Sequence, residues 1–69
     1  MKRQTLLKHL RLHGCYLKRE GRSHSLWCNP QTGHVEAVPR HTEISKKLAM
    51  KICRSLGIPE VNFNRPKRK

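Results

Sequence analysis

A chain of 69 residues fits within one domain and leaves no room for separate catalytic and binding modules. A domain of this size buries only about 60 % of the surface its unfolded chain exposes, which argues against a deep enclosed pocket and for shallow grooves and open faces. Sixteen Lys and Arg stand against four acids, a net charge of +12 with the five histidines neutral, so a polyanionic partner is expected: nucleic acid first, an acidic protein second.

No apolar run approaches the roughly 20 residues that a membrane span requires, and Met1 to Thr5 opens no signal-type apolar core, so the chain is read as cytoplasmic with no membrane partner. Cys15, Cys28 and Cys53 are an odd number at wide spacings without a C-x-x-C pair. They suggest neither a disulfide framework nor a thiolate zinc site, and are expected to be small buried apolar residues.

From Thr5 to His13, Leu6, Leu7 and Leu10 recur at helical spacing while Lys8 and Arg11 face elsewhere, and Gly14 supplies a stop: a short amphipathic helix. Cys15 to Arg19 reads as a strand, Glu20-Gly21-Arg22-Ser23 as a turn and His24 to Cys28 as a second strand. On a regular strand His24 shares a side with Leu26 and Cys28, and Ser25 shares one with Trp27. Alternation leaves open which side is core, and a bulge at the turn would rotate His24 outward. Asn29 to Gly33 is a dense turn signal. His34 to Val38 then alternates as a third strand, antiparallel to the second and halted by Pro39. The last helix opens at Ser45, a good N-cap, carries Leu48, Ala49, Ile52, Cys53 and Leu56 on one face, and ends at Gly57 with Pro59 beyond.

The order α-β-β-β-α makes an α+β domain in which a three-stranded antiparallel sheet buries one face under both helices and leaves the other open. The domain spans residues 1–60. Residues 61–69, ending in NRPKRK, read as a disordered basic tail able to touch phosphate.

Three motifs on this element pattern, Gly21-Arg22-Ser23-His24, then Val38-Pro39-Arg40-His41, then Lys46 to Ile58 ending in Leu-Gly-Ile, together resemble those of HicA toxins, from about Leu6 to Pro59. The resemblance implies a double-stranded-RNA-binding-like fold, metal-independent cleavage of mRNA that inhibits translation, and neutralisation by a HicB-type antitoxin, with DNA met only through the antitoxin complex. It places the active histidine at His24, and His41 fits the family's Pro-x-His position as a possible second acid or base or as a loop-fixing residue.

The chemistry of the residues is compatible with this. RNA can be cut without a metal if a base takes the 2′-hydroxyl proton while cations stabilise the charge developing on phosphate, and an imidazole, with an ordinary pKa of about 6.5, serves as base or acid near neutrality. Lys18, Arg19, Arg22 and Ser23 lie around His24 in sequence, Arg40 beside His41, and Lys46, Lys47 and Lys51 at the start and outer face of the last helix, where unpaired N–H groups add positive charge. His9 and His13, four apart, have a spacing that permits a metal but lack a nominated third ligand, so a solvated polar face is the simpler reading and no metal or cofactor is assigned. Trp27 and Tyr16 are read as core residues or antitoxin contacts ahead of base stackers.

The alternatives are a catalytically silent double-stranded-RNA-binding module, which would share the fold, and a basic surface made chiefly to dock an acidic protein. DNA reading is less favoured, because no element resembles a major-groove recognition helix.

Overall fold

The computed structural model describes residues 1–61, in the order α1 (Arg3–Leu12), β1 (Tyr16–Glu20), β2 (His24–Cys28), β3 (Val35–Pro39) and α2 (Lys46–Leu56). The expected basic stretch 64–69 lies outside the described residues. The three strands form one antiparallel sheet in the order β1-β2-β3, with both helices on the same face, as the sequence led us to expect.

Leu6, Leu7 and Leu10 of α1 are buried, so the leucine stripe is the face that meets the sheet. The helix begins at Arg3, ahead of its apolar pattern, because residues far along the chain take its first backbone groups. Arg3 N–H donates to Thr42 O at 2.8 Å and Ile44 N–H to Met1 O at 2.8 Å, with Lys2 bridged to Glu43. The Lys2 side chain supplies no cap. The far end closes on Gly14, whose φ of +87° suits glycine, and Cys15 N–H donates to Leu10 O at 2.9 Å. That bond and the buried Cys15 side chain explain why β1 starts at Tyr16 and not at Cys15.

The register places Ser25 opposite Glu20 and Val38, and Trp27 opposite Leu17 and Glu36. Ser25, Trp27 and Val38 are buried beneath the helices. β1 carries its irregularity between Leu17 and Arg19, leaving Lys18 without an opposite residue; the bulge sits in mid-strand and not at the turn. All five β1 residues are exposed, Tyr16 among them, so Tyr16 is not core.

The β2–β3 connection is held by the buried Asn29, whose Oδ1 accepts from Gln31 N–H at 3.0 Å and whose Nδ2 donates to Leu56 O at 2.7 Å. One side chain thereby shapes the turn and satisfies an orphan carbonyl at the end of α2. The other end of α2 is capped as expected: Ser45 Oγ accepts from Leu48 N–H at 3.1 Å.

Leu6, Leu10, Trp27, Val38, Ile44, Ala49, Ile52 and Leu56 form one core with Cys15 and Cys53, and Val61 packs against it. Burying an aliphatic side chain of this kind is worth about 1.5–3 kcal/mol. Arg11 lies 5.3 Å from the Trp27 ring centroid and covers it from α1. The three cysteines are free and buried, and burial pushes the Cys15 and Cys53 thiols up, which keeps them protonated and apolar. Among the described residues no helix is long and apolar enough to cross a membrane.

Candidate functional site

The chain reverses between β1 and β2 over Arg22 and Ser23, and Gly21 N–H donates to His24 O at 2.8 Å to close the turn. A Cβ at position 21 would stand 2.7 Å from that same carbonyl oxygen, so only glycine permits the approach. His24 is thus fixed as the first residue of β2, opposite Pro39. Because the next residue, Ser25, points into the core, the His24 side chain leaves from the open face, on the same side as Leu26. It is exposed and engages no partner among the described residues.

A shallow depression lined by Arg19, Gly21, Arg22, Ser23, His24 and Leu26 lies at this corner. β3 delivers the next cation. Past Pro39, Arg40 N–H donates to Ser23 O at 3.2 Å, and its Nη1 reaches Gly21 O at 3.1 Å and Glu20 Oε2 at 2.8 Å. Arg40 also lines a second shallow cleft with Lys2, Arg3, Gln4 and Thr42, on the helix side. His41 follows, exposed, at the same end of the sheet, and no hydrogen bond joins it to His24.

Residues 40–45 then cross the start of α1 and lead into α2, whose first residues, Lys46 and Lys47, are exposed. One end of the molecule therefore gathers the turn at 21–24, Arg40, His41 and the beginnings of both helices. Lys51 is set apart: its Nζ pairs with Glu36 Oε2 at 3.2 Å, and Glu36 stands three residues, about 10 Å of strand, from Pro39. Lys18 is the bulged residue of β1, exposed on the edge strand.

Three further residues hold this end together and were not singled out from the sequence. Arg3 donates through Nε to Pro39 O and through Nη2 to Ser25 Oγ, both at 2.8 Å, and Ser25 donates to Glu20 Oε1 at 2.9 Å. The one available signal was that Ser25 shares a strand side with Trp27. The His9 and His13 rings meet edge to face at 4.6 Å, and His9 Nε2 lies 2.7 Å from Pro59 O, so this pair ties α1 to the segment after α2. Among the described residues no three His, Cys, Asp or Glu side chains form a metal-sized cluster.

Fold and charge together define a small basic α+β domain with one open sheet face and, beside Arg19 and Arg22, an exposed histidine that has no partner among the described residues. The family model described as HicA toxin of bacterial toxin-antitoxin matches residues 3–58, and the chain belongs to the HicA toxin family. Membership makes it the toxin component of such a system and implies an antitoxin partner. No curated protein and no solved structure gives a significant match.

Gly21→Ala is expected to cost about 1–3 kcal/mol, because the added methyl must push the His24 carbonyl away and open the turn. The urea midpoint of the variant against wild type measures it.

Proposed function

We propose that this toxin is a metal-independent endoribonuclease that cleaves mRNA, inhibits translation in the cytoplasm and is silenced by a HicB-type antitoxin. The observation that carries the reading is His24: an exposed imidazole on the open face, without a partner among the described residues, beside Arg19 and Arg22 and held by a turn that Arg40 grips. In a core-building role it would face the helices with Ser25 and Trp27.

The imidazole takes the proton of an RNA 2′-hydroxyl, and the 2′-oxygen attacks the adjacent phosphorus. The P–O2′ bond forms, the P–O5′ bond breaks, and the departing 5′-oxygen receives a proton. His41, just past Arg40, is the candidate second proton-transfer group. Arg19, Arg22 and Arg40 stabilise the negative charge that develops on the phosphoryl oxygens, with Lys18 and Ser23 contacting the neighbouring backbone.

Lys46 and Lys47 lie in the helix layer whereas His24 lies on the open face, so a strand that touches both passes over the end of the sheet, across Arg40. Lys51 adds charge further along α2. Such a track suits single-stranded RNA, which bends more readily than a duplex. An antitoxin seated over this end would silence the toxin by occlusion, and a net charge of +12 favours an acidic covering surface.

His24→Ala is expected to fold, to bind RNA within a few-fold of wild type and to lose cleavage, in a reaction run in EDTA with a long single-stranded RNA. Binding without cleavage by either protein, shown by gel shift in the same tubes, would leave a silent RNA-binding module in place of the nuclease. Replacing Lys46 and Lys47 together with Ala is expected to weaken binding and to lower the slope of log affinity against log salt by about 1 for each phosphate that the variant no longer neutralises.

A further inference from the structure

Glu20 is conspicuous by its charge. It is one of four acids in a chain of net charge +12, and it sits at the end of β1 immediately before the turn that carries His24. Next to a path for phosphates, a carboxylate repels the ligand unless it does something else.

Both of its oxygens are occupied. Oε1 accepts from the Ser25 hydroxyl at 2.9 Å, and Oε2 pairs with Arg40 Nη1 at 2.8 Å. Ser25, 1 % exposed, accepts in turn from Arg3 Nη2, and Arg3 Nε holds the Pro39 carbonyl. The directions agree throughout: a guanidinium donates to a hydroxyl, the hydroxyl donates to the carboxylate, and a second guanidinium donates to the carboxylate from its other side. The chain of bonds joins α1, β1, β2 and the exit of β3. Arg40 extends it to the turn itself, through Gly21 O and Ser23 O.

The Glu20–Arg40 pair is half-exposed, with Glu20 at 44 % and Arg40 at 48 %. An ion pair that open to water adds only about 0–1 kcal/mol to stability. Stability alone is therefore a poor reason for an acid here, whereas geometry is a good one: the Glu20–Arg40 pair uses Nη1, and Arg40 Nε and Nη2 have no partner among the described residues.

We propose that Glu20 is a positioning residue of the RNA site, whose carboxylate sets Arg40 and the turn at 21–24 so that the guanidinium and His24 meet the same phosphodiester. The proposal rests on the ribonuclease reading above, and its electrostatic sign makes it testable. As a mere surface acid, Glu20 would be an obstacle, and removing it would tighten RNA binding and leave kcat unchanged or raised. As a positioning residue it is needed, and removing it slows the reaction.

The experiment compares wild type with Glu20→Ala, Glu20→Asp, Glu20→Gln and the control Glu60→Gln, whose pair with Arg54 lies outside the site. Steady-state cleavage of a single-stranded RNA gives kcat and KM, and NMR of the RNA-free proteins follows the His24 ring and Arg40 guanidinium signals. Glu20→Ala is expected to lower kcat roughly ten- to a hundredfold with KM within about threefold, and to shift both sets of signals. Glu20→Asp keeps the charge but is too short to reach Ser25 and Arg40 together, so it is expected to lower kcat as well, and it decides the matter should the alanine variant not fold. Glu20→Gln keeps a single acceptor oxygen: turned to Arg40 it leaves the amide NH2 to donate to Ser25 Oγ, so the reach to Arg40 survives without the charge or the bond from the Ser25 hydroxyl, and kcat is expected to fall between those of wild type and Glu20→Ala; Glu60→Gln behaves as wild type. Unchanged or faster turnover by Glu20→Ala and Glu20→Asp, with unmoved His24 signals, would overturn the proposal. If wild type cleaves nothing, the nuclease reading fails separately and the resonances decide: shifts at His24 and Arg40 retain Glu20 as the residue that sets the turn, and unmoved signals remove it.

Discussion

The register of β2 is the constraint from which the site follows. Ser25 and Trp27 face the helices, so His24 and Leu26 must face away, and a slip of one residue would send His24 into the core and Trp27 into water. Several devices fix that register at once. Trp27 fills the centre of the core under Arg11, Ser25 is tied to Arg3 and Glu20, and the Arg22–Ser23 turn with its obligatory glycine sets where the strand begins. The exposed histidine is thus a consequence of packing on the opposite side of the same strand.

A second constraint is electrostatic. A chain this basic repels itself when compact, and its few carboxylates are placed where they hold cations in position. Glu20 holds Arg40 at the turn, Glu36 holds Lys51 across from β3, and Glu60 holds Arg54. Only the first of these lies beside His24. In the proposed mechanism RNA phosphates finish what the carboxylates begin, since Arg40, set by Glu20, joins Arg19 and Arg22 at the scissile phosphate. An antitoxin with an acidic face would compete for the same charges.

Much of this was legible in the sequence, because it is local. The leucine spacing of α1, the Ser45 cap and Gly57 stop of α2, and the limits of β2 at His24 and Cys28 all reflect neighbouring residues. The choice of core face was not legible, because Leu26 and Cys28 on one side of β2 compete with Trp27 on the other, and both sides look apolar. Bonds across long stretches of chain decided it. The same holds for the start of α1, set by residues 42–44, and for the link from Arg3 through Ser25 and Glu20 to Arg40, whose members are scattered over the first forty residues. A lone arginine near a terminus and a lone glutamate in a turn carry no pattern until the fold brings them together. Lys51 illustrates the converse: it belongs to a basic cluster by sequence, yet the fold gives it to Glu36.

If an exposed histidine cuts RNA through the substrate's own 2′-oxygen, the chemistry of the new RNA ends records it. Fragments made by the wild-type protein in EDTA, analysed by mass spectrometry, are predicted to carry 5′-hydroxyl groups and 2′,3′-cyclic or 3′-phosphates, and a substrate with a single 2′-deoxy sugar at the cleaved position is predicted to survive. Fragments bearing 5′-phosphate and 3′-hydroxyl ends would mean that water attacked the phosphorus, and would contradict the role given to His24.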